Sequence, residues 1–264
     1  MPYYRTPQLS VIIPAYNEAT RILPYLASIT TYLTRRGDSH EILVIDDGSQ
    51  DDTACHVEEF SVTEPAIRLV QLSRNTGKGA AVRTGMMTAR GDLHLLADAD
   101  GATPIDEVER LETRIRRGAD IAVGSRSLAS HDSRFAVRAR WHRAILGNVF
   151  NRIAKRMGIK QITDTQCGFK LLRRTVARDL MSVARVNGYG FDLELLYVAQ
   201  RRGYHIDEVP INWTDQPGSK VRVVRDGVRM LCELLAVRRN DLLGRYTSIR
   251  HTATNGLRER ASQS

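Results

Sequence analysis

The stretch DLHLLADADGATP, residues 92–104, decides the fold. Its first half is a short apolar strand that delivers Asp98 and Asp100 at its C-terminal end. Gly101 then breaks the chain, and Pro104 suits the start of a helix. Two carboxylates one residue apart on a tight turn can hold a divalent cation through hard oxygen ligands. The same letters also spell an acidic surface turn, so the neighbouring sequence has to arbitrate.

Working outward, apolar runs recur at 9–13, 41–46, 67–72 and 120–124, and helical patterns fill 18–36, 51–60, 78–89 and 105–117. Regular alternation of this kind predicts βαβ units and an α/β fold with a mostly parallel sheet and flanking helices. Beyond residue 137 the pattern changes. A polar loop over 125–137 leads to a basic amphipathic helix over 138–157, a strand at 168–172, a helix over 190–202, a strand at 205–211 and a helix over 225–238. Residues 251–264 read as a disordered tail.

Length and composition narrow the class. The chain has 264 residues and 42% hydrophobic content, enough for one large α/β domain. No apolar run reaches the 18 residues of a spanning helix, and the opening MPYYRTPQLS lacks the apolar core of a secretory signal. Cys55, Cys167 and Cys232 are too scattered for a disulfide framework or a zinc cluster, which points to a reducing, intracellular setting. The net charge of +9 is uneven, since residues 131–160 hold eight Lys and Arg against one acid and residues 220–250 eight against three. Nucleic acid, anionic lipid and a phosphorylated substrate are the partners such charge admits. No RNP-like aromatic pair or zinc-finger spacing supports nucleic acid.

The motifs fall at predicted strand ends, where open α/β sheets bind their ligands. Pro14-Ala15-Tyr16-Asn17-Glu18 follows the first strand, with a tyrosine able to stack on a base; ordinary helix capping is the alternative. Asp46-Asp47-Gly48-Ser49 ends the second, and either carboxylate could accept from a uracil or guanine N–H. Asn75-Thr76-Gly77-Lys78-Gly79 precedes a helix, where two glycines can form an anion nest beside the Lys78 charge. The P-loop spacing is absent, as is the dinucleotide GxGxxG fingerprint. Gly124-Ser125-Arg126 offers a donor fork for phosphate, backed by Arg138, Arg140 and Arg143. Asp164 is a candidate base or sugar-hydroxyl acceptor. Cys167 reads as buried rather than nucleophilic. Asp192 and Glu194, two apart on a helix, are expected to diverge, one into the pocket and one to solvent. Residues 213–220, WTDQPGSK, form either a closing segment carrying Lys220 or a surface hairpin.

Taken together, PAYNE, IDDGSQDDT, NTGKGAAVRTGM, ADADGATP, GSR, DTQCGFKLL, FDLELLYVAQ, EVPINW and GSK resemble the inverting family 2 glycosyltransferases of the GT-A nucleotide-diphospho-sugar fold. The nearer resemblance is to polyprenyl-phosphate hexose synthases, of the dolichyl-phosphate β-glucosyltransferase type. It covers about residues 9–220. The resemblance implies a single catalytic domain over 1–250, with a nucleotide-sugar half at 9–124, an acceptor half at 125–220 and a basic C-terminal extension at 221–250. It implies that Pro14, Ala15, Tyr16, Glu18, Asp46, Asp47 and Lys78 line the nucleotide pocket, together with Asp98 and Ala99. It makes Asp98 and Asp100 the metal-associated pair for Mg²⁺ or Mn²⁺, with Asp100 the more direct ligand. It turns Arg126, Arg138, Arg140, Arg143 and Lys220 toward an acceptor phosphate, and sets Asp164 and Asp192 on the sugar side. Eukaryotic members of this branch usually carry an N-terminal membrane helix, which is not spelled here.

The implied reaction moves glucose from UDP-glucose to a polyprenyl phosphate with inversion. A phosphate monoester has a second pKa near ~6, so its oxygen needs little help from a base. The alternative is a soluble inverting transferase, with UDP-glucose or GDP-mannose as donor and a hydroxyl acceptor that requires a base. The basic stretches suit docking on the anionic cytoplasmic face of a membrane. In the 225–238 helix, Val228, Leu231, Leu234 and Leu235 form an apolar stripe for lipid, for the enzyme's own core, or for a second subunit in a homo-oligomer.

Overall fold

The computed structural model describes residues 6–138, 159, 162–216 and 223–247, without the side chains of 138, 223–226 and 228. Its strands are β1 (Leu9–Ala15), β2 (His40–Asp46), β3 (Ile67–Gln71), β4 (Leu93–Leu96), β5 (Ile121–Ser125), β6 (Val137–Arg138), β7 (Lys170–Arg173), β8 (Ile206–Pro210) and β9 (Trp213–Thr214). Seven of them make one sheet in the order β3-β2-β1-β4-β7-β5-β8. Only β7 runs against the rest, pairing antiparallel with both β4 and β5. The remaining pairs, β6 and β9, form a separate parallel ladder.

The helices are α1 (Ile22–Arg36), α2 (Thr53–Thr63), α3 (Lys78–Thr88), α4 (Val108–Arg116) after a 3₁₀ turn at Ile105–Glu107, α5 (Arg126–Ala129), α6 (Arg174–Val183), α7 (Phe191–Arg201) and α8 (Val223–Leu242). Side-chain alternation divides the sheet into two faces. Ile12, Leu43, Ile45, Leu96, Ile121, Val123 and Leu172 pack under α3, α6, α7 and α8. Val11, Ile13, Ile42, Val44, Leu95, Ala122 and Leu171 pack under α1, α2 and α4. Burial on both faces explains why the strands read as continuous apolar runs.

The strand order reverses direction between β1 and β4, the kind of switch point at which open α/β sheets take their ligands. Pairing of β1 with β4 stops at Ile12 and Leu96, whereas β1 continues against β2 as far as Ala15 and Asp46. Pro14 lacks the N–H that a further β4 bond would need, so its position past that stop fits its chemistry.

Three expectations change. The segment at 174–183 is a helix that the reading of the sequence did not mark, although Val176, Ala177, Leu180 and Met181 repeat at helical spacing and are buried. Residues 125–137 contain α5 and the first residue of β6 rather than a plain loop. Trp213 and Thr214 form β9, paired in parallel with β6, while residues 217–220 of the expected closing segment or hairpin lie outside the described residues. Of the expected basic helix, Arg138 is placed in β6, and the rest, with Arg140 and Arg143, lies outside the described residues. Lys220 and the tail beyond 250 also lie outside them.

Candidate active site

The loops after β1 and β2 are laced to each other. Asn17 adopts a left-handed φ of 54°, and its N–H donates to Ser49 Oγ at 2.8 Å while its Oδ1 accepts from Gln50 N at 2.7 Å. The Glu18 N–H donates to Thr53 Oγ1 at 2.7 Å, and the Glu18 carboxylate takes both Nε and Nη2 of Arg21. These contacts consume residues 16–21, which is why α1 begins at Ile22 rather than at 18. Tyr16 sits half-buried between β1 and this lacing. Ala15 is buried, its carbonyl accepting the Asp47 N–H at 2.8 Å.

Asp46 and Asp47 are buried and turned to backbone and hydroxyl donors. Asp46 accepts from Ser49 N and Ser49 Oγ. Asp47 Oδ1 accepts from Thr76 N and Thr76 Oγ1, both at 2.8 Å, and its Oδ2 accepts from Gly77 N at 2.8 Å. Both oxygens of Asp47 therefore staple the turn before α3.

That turn is not an open anion nest. Asn187 O accepts the Gly79 N–H at 2.7 Å and the Ala80 N–H at 3.3 Å, so the chain's own carbonyl occupies the helix start. Gly77, at φ 105°, has no space for a Cβ against that same carbonyl, and a Cβ on Gly79 would lie 2.5 Å from Val186 O. The glycines allow residues 186–188 to approach. What the turn presents to the sheet edge is Lys78, whose Nζ donates to Asp98 Oδ1 at 2.5 Å and lies 5.7 Å from the Phe191 ring centre.

Around Asp98 the second half of the edge is densely charged. Because β7 is antiparallel, its first residue, Lys170, enters the sheet at this edge, opposite Leu96 and Val123. Lys170 is fully buried, donates to Cys167 O at 2.5 Å and pairs with Asp192. Gly168 passes so close to the Asp98 carboxylate that a side chain there would collide with it. Asp164 grips Arg126 through three bonds, from Arg126 N at 2.9 Å, Nε at 2.7 Å and Nη2 at 2.8 Å. The guanidinium lies 5.2 Å from the Trp213 ring centre. Glu208 on β8 fixes this arrangement, accepting from Thr163 Oγ1 and Asp164 N at 2.8 Å each.

These surroundings set the ionisation. Burial alone would raise Asp98, but Lys78, Lys170 and Arg126 hold it below the usual carboxylate range. Asp100 is pushed up, first by burial and then by the Asp98 charge. Burial also pushes against Asp164, yet the Arg126 charge and hydrogen bonds hold it down. Asp192 is raised by burial, with Lys170 opposing. Burial pushes the Cys167 thiol up to about 12, which leaves it inert as a nucleophile at neutral pH.

Among the described residues no three His, Cys, Asp or Glu side chains gather as a metal cage. The Asp98 and Asp100 pair suits a hard cation that takes its remaining oxygens from a ligand. Asp98 Oδ1 already faces Lys78, and Asp100 Oδ1 accepts from Ala102 N at 3.1 Å. The repulsion that raises Asp100 is what a bound cation would relieve. Ala99, between them, is packed in the core, so its part in a nucleotide pocket is limited to backbone.

Of the expected site residues, the structure gathers Asp98, Asp100, Lys78, Asp192, Asp164 and Arg126 at one edge. It turns Asp164 and Arg126 toward each other, so that Asp164 engages Arg126 N, Nε and Nη2. Glu194 departs from its expectation of facing solvent or pocket. It is buried, accepting from Arg185 N at 3.0 Å, Val186 N at 2.8 Å and Tyr246 Oη at 2.5 Å. The sequence reading does not single out Lys170, Glu208 or Asn187; Lys170 is marked in the sequence only as the charged first residue of KLLR, and Asn187 acts through its backbone, which leaves no sequence signal.

An open, mostly parallel sheet with a carboxylate pair at its switch point is the frame of the nucleotide-diphospho-sugar transferases. Residues 10–181 match the model of Glycosyl transferase family 2, and the chain belongs to that family. It is 41% identical to a dolichyl-phosphate β-glucosyltransferase of Trichomonas vaginalis, over 80% of this chain and 65% of the relative. It is 37% identical to that of Dictyostelium discoideum, over 89% and 75%. It is 35% identical to that of Saccharomyces cerevisiae, over 90% and 76%. The fold matches glucosyl-3-phosphoglycerate synthase of Mycobacterium tuberculosis, solved with Mn²⁺, UDP and glucosyl-3-phosphoglycerate. That match has a TM-score of 0.67 and 20% identity, and covers 88% of this chain and 80% of the other.

Proposed function

We propose that the chain transfers glucose from UDP-glucose to a polyprenyl phosphate of the dolichyl type, with inversion at C1. The relatives at 35–41% identity support the reaction. One observation in the site supports the phosphate acceptor. Both carboxylates that could act as a base are committed to cations, Asp164 to Arg126 and Asp192 to Lys170. A phosphate oxygen is already anionic at neutral pH and attacks without a base.

Placement supports the following roles. The laced loops after β1 and β2, with Tyr16, Asp46 and Asp47, shape the nucleoside side, Asp47 by holding the turn of Lys78. Asp98 and Asp100 would hold Mg²⁺ or Mn²⁺, with Asp100 the more available donor. A divalent ion there supplies charge to a departing diphosphate. Lys78 adds a second cation beside it. Arg126 has Nε and Nη2 on Asp164, which leaves Nη1 and the fixed positive charge to orient an acceptor phosphate. Asp164, held by Glu208, serves as the orienting partner of Arg126.

The alternative, a hydroxyl acceptor, is favoured by the raised pKa of Asp192, the carboxyl whose shift suits proton uptake. A donor-and-acceptor matrix separates the two. Purified protein with UDP-[¹⁴C]glucose, Mg²⁺ or Mn²⁺ and dolichyl phosphate should give organic-extractable, acid-labile label. Label confined to water-soluble sugars rejects the lipid reading.

Docking on an anionic membrane surface belongs to the same proposal. No helix among the described residues is long and apolar enough to cross a membrane. On α8, Met230, Leu234 and Val237 face the core, while Leu231 and Leu235 are exposed with Leu242 and Leu243 beyond them. The expected stripe is thus split, since Leu234 packs inward. Exposed Arg229, Arg238, Arg239 and Arg245 accompany the outward leucines. Flotation with phosphatidylserine liposomes at low salt should carry the protein upward, and Leu235→Glu should abolish it.

A further inference from the structure

The turn that carries Lys78 leans on residues 186–188, and that segment is held in turn by α8. Glu233 Oε2 accepts the Gly190 N–H at 2.8 Å. Gly188 lies so close under the same carboxylate that no side chain fits there. The Glu233 side chain is only 15% exposed, and Arg229 Nε lies 3.4 Å from Oε1. At the other end of the segment Glu194 holds Arg185 N and Val186 N, and Glu194 is itself held by Tyr246. Two carboxylates therefore clamp residues 185–190, and both engage the C-terminal part of the chain.

Between Asn187 and Gly190 lie Gly188 and Tyr189. Two glycines in four residues give this span little conformational resistance of its own. Its position depends on what grips it. The continuous path runs from Glu233 Oε2 to Gly190 N, along the backbone to Asn187 O, then to Gly79 N at 2.7 Å, and through Lys78 to Asp98.

We propose that Glu233 is a positioning residue for the transfer reaction, setting Lys78 against Asp98 through residues 187–190. The donor site thereby depends on how α8 is seated. The proposal rests on the donor-site reading of Lys78 and Asp98 above, but its structural half can be tested without substrate.

The test uses the full chain with Glu233→Ala, Glu233→Gln, Lys78→Met and the Glu233→Ala/Lys78→Met pair. Amide hydrogen exchange at Gly79 and Ala80 in the substrate-free protein should rise in Glu233→Ala, with the global melting transition retained. The kcat for UDP-glucose should fall by roughly tenfold, the scale expected when a catalytic cation is displaced by a fraction of an ångström. Glu233→Gln keeps an acceptor oxygen and should recover most of it. In the Lys78→Met background the same Glu233→Ala change should cost less than about twofold, because the two act as one unit. Should Glu233→Ala fail to fold, Glu233→Asp, too short to reach the Gly190 N–H, replaces it with the same expected exchange. Unchanged exchange at Gly79 and Ala80, or an undiminished loss in the Lys78→Met background, overturns the proposal. A wild-type protein that transfers no glucose while the exchange coupling persists overturns the functional reading and leaves the positioning path standing.

Discussion

The two halves of the sheet's carboxyl edge use the same residue type for different ends. At β1, β2 and β3 the acids hold the chain, with Asp46 on Ser49 and Asp47 on Thr76 and Gly77. At β4, β7 and β5 the acids face cations, in the pairs Asp98–Lys78, Asp192–Lys170 and Asp164–Arg126. The first half is a preshaped scaffold in which carboxylates fix loop backbone and hydroxyls. The second is a charge relay frozen in place, suited to a step in which negative charge builds on a leaving group. Asp100 stands apart from both. Like Asp192 it is pushed up by burial, but the Asp98 charge adds to the push and no ion pair among the described residues offsets it.

The largest expected effect tests that exception. Asp100→Asn should lower turnover by roughly a thousandfold, since Lewis-acid assistance at a phosphoryl oxygen contributes several kcal/mol. Chemical unfolding at pH 7 should be unchanged or slightly more stable, because a repelled carboxylate has been removed. A metal titration of the residual activity gives the check. Asp47→Asn, in the scaffold half, should instead weaken stability and donor binding together.

Next in size is the buried pair on β7. Lys170→Met removes the ion-pair partner of buried Asp192 and leaves it the Lys78 charge without a salt bridge, and should cost about 3–5 kcal/mol in urea unfolding. Lys170→Met combined with Asp192→Leu should recover most of that stability while activity stays lost. A double variant as unstable as the single one would mean that the pair is not the source of the cost.

The sequence displayed the sheet well, because strands buried on both faces must be apolar throughout, as in Ile42 to Ile45. It displayed the acidic pair for the same reason, as the polar stop of such a strand. The direction of β7 was not legible, since Lys170 to Arg173 has no feature that differs between parallel and antiparallel pairing. Nor was the purpose of Gly77 and Gly79. Their letters match an anion nest, and what fills the space is a carbonyl more than a hundred residues away. Long-range backbone contacts of that kind leave only the glycine behind as a trace. Gly77→Ala tests this reading. At φ 105° and ψ 154°, with Asn187 O in the way, it should cost about 1–3 kcal/mol in the same unfolding assay. Gly118→Ala shares a φ of 102° but meets nothing within 4 Å, and should cost the backbone strain alone.

The smallest effect comes from the opposite end of β4, where a buried polar ring makes no hydrogen bond of good geometry. His94 is fully buried, and neither ring nitrogen makes a well-aligned hydrogen bond, its polar neighbour being the Gly91 backbone. Burial lowers its pKa from 6.5 to about 4, opposed first by a contact with the Gly91 backbone and then by Glu41, while Arg174 and Arg178 add to the push. The folded chain thus refuses a proton that the unfolded chain accepts. Stability from this source is intact above pH 6.5, declines as the pH falls below it, and goes on declining until the folded histidine titrates near pH 4. Between pH 7 and pH 5.5 the loss should be about 1 kcal/mol. His94→Leu fills a similar volume without a titrating group, so its unfolding free energy should fall less over that interval by the same amount. Equal slopes in the two proteins would mean that His94 takes up its proton in the fold, and that the buried ring is not where acid acts. The contrast with the other end of the strand would then fail, since Asp98 would no longer differ from His94 in having its charge state chosen by its neighbours.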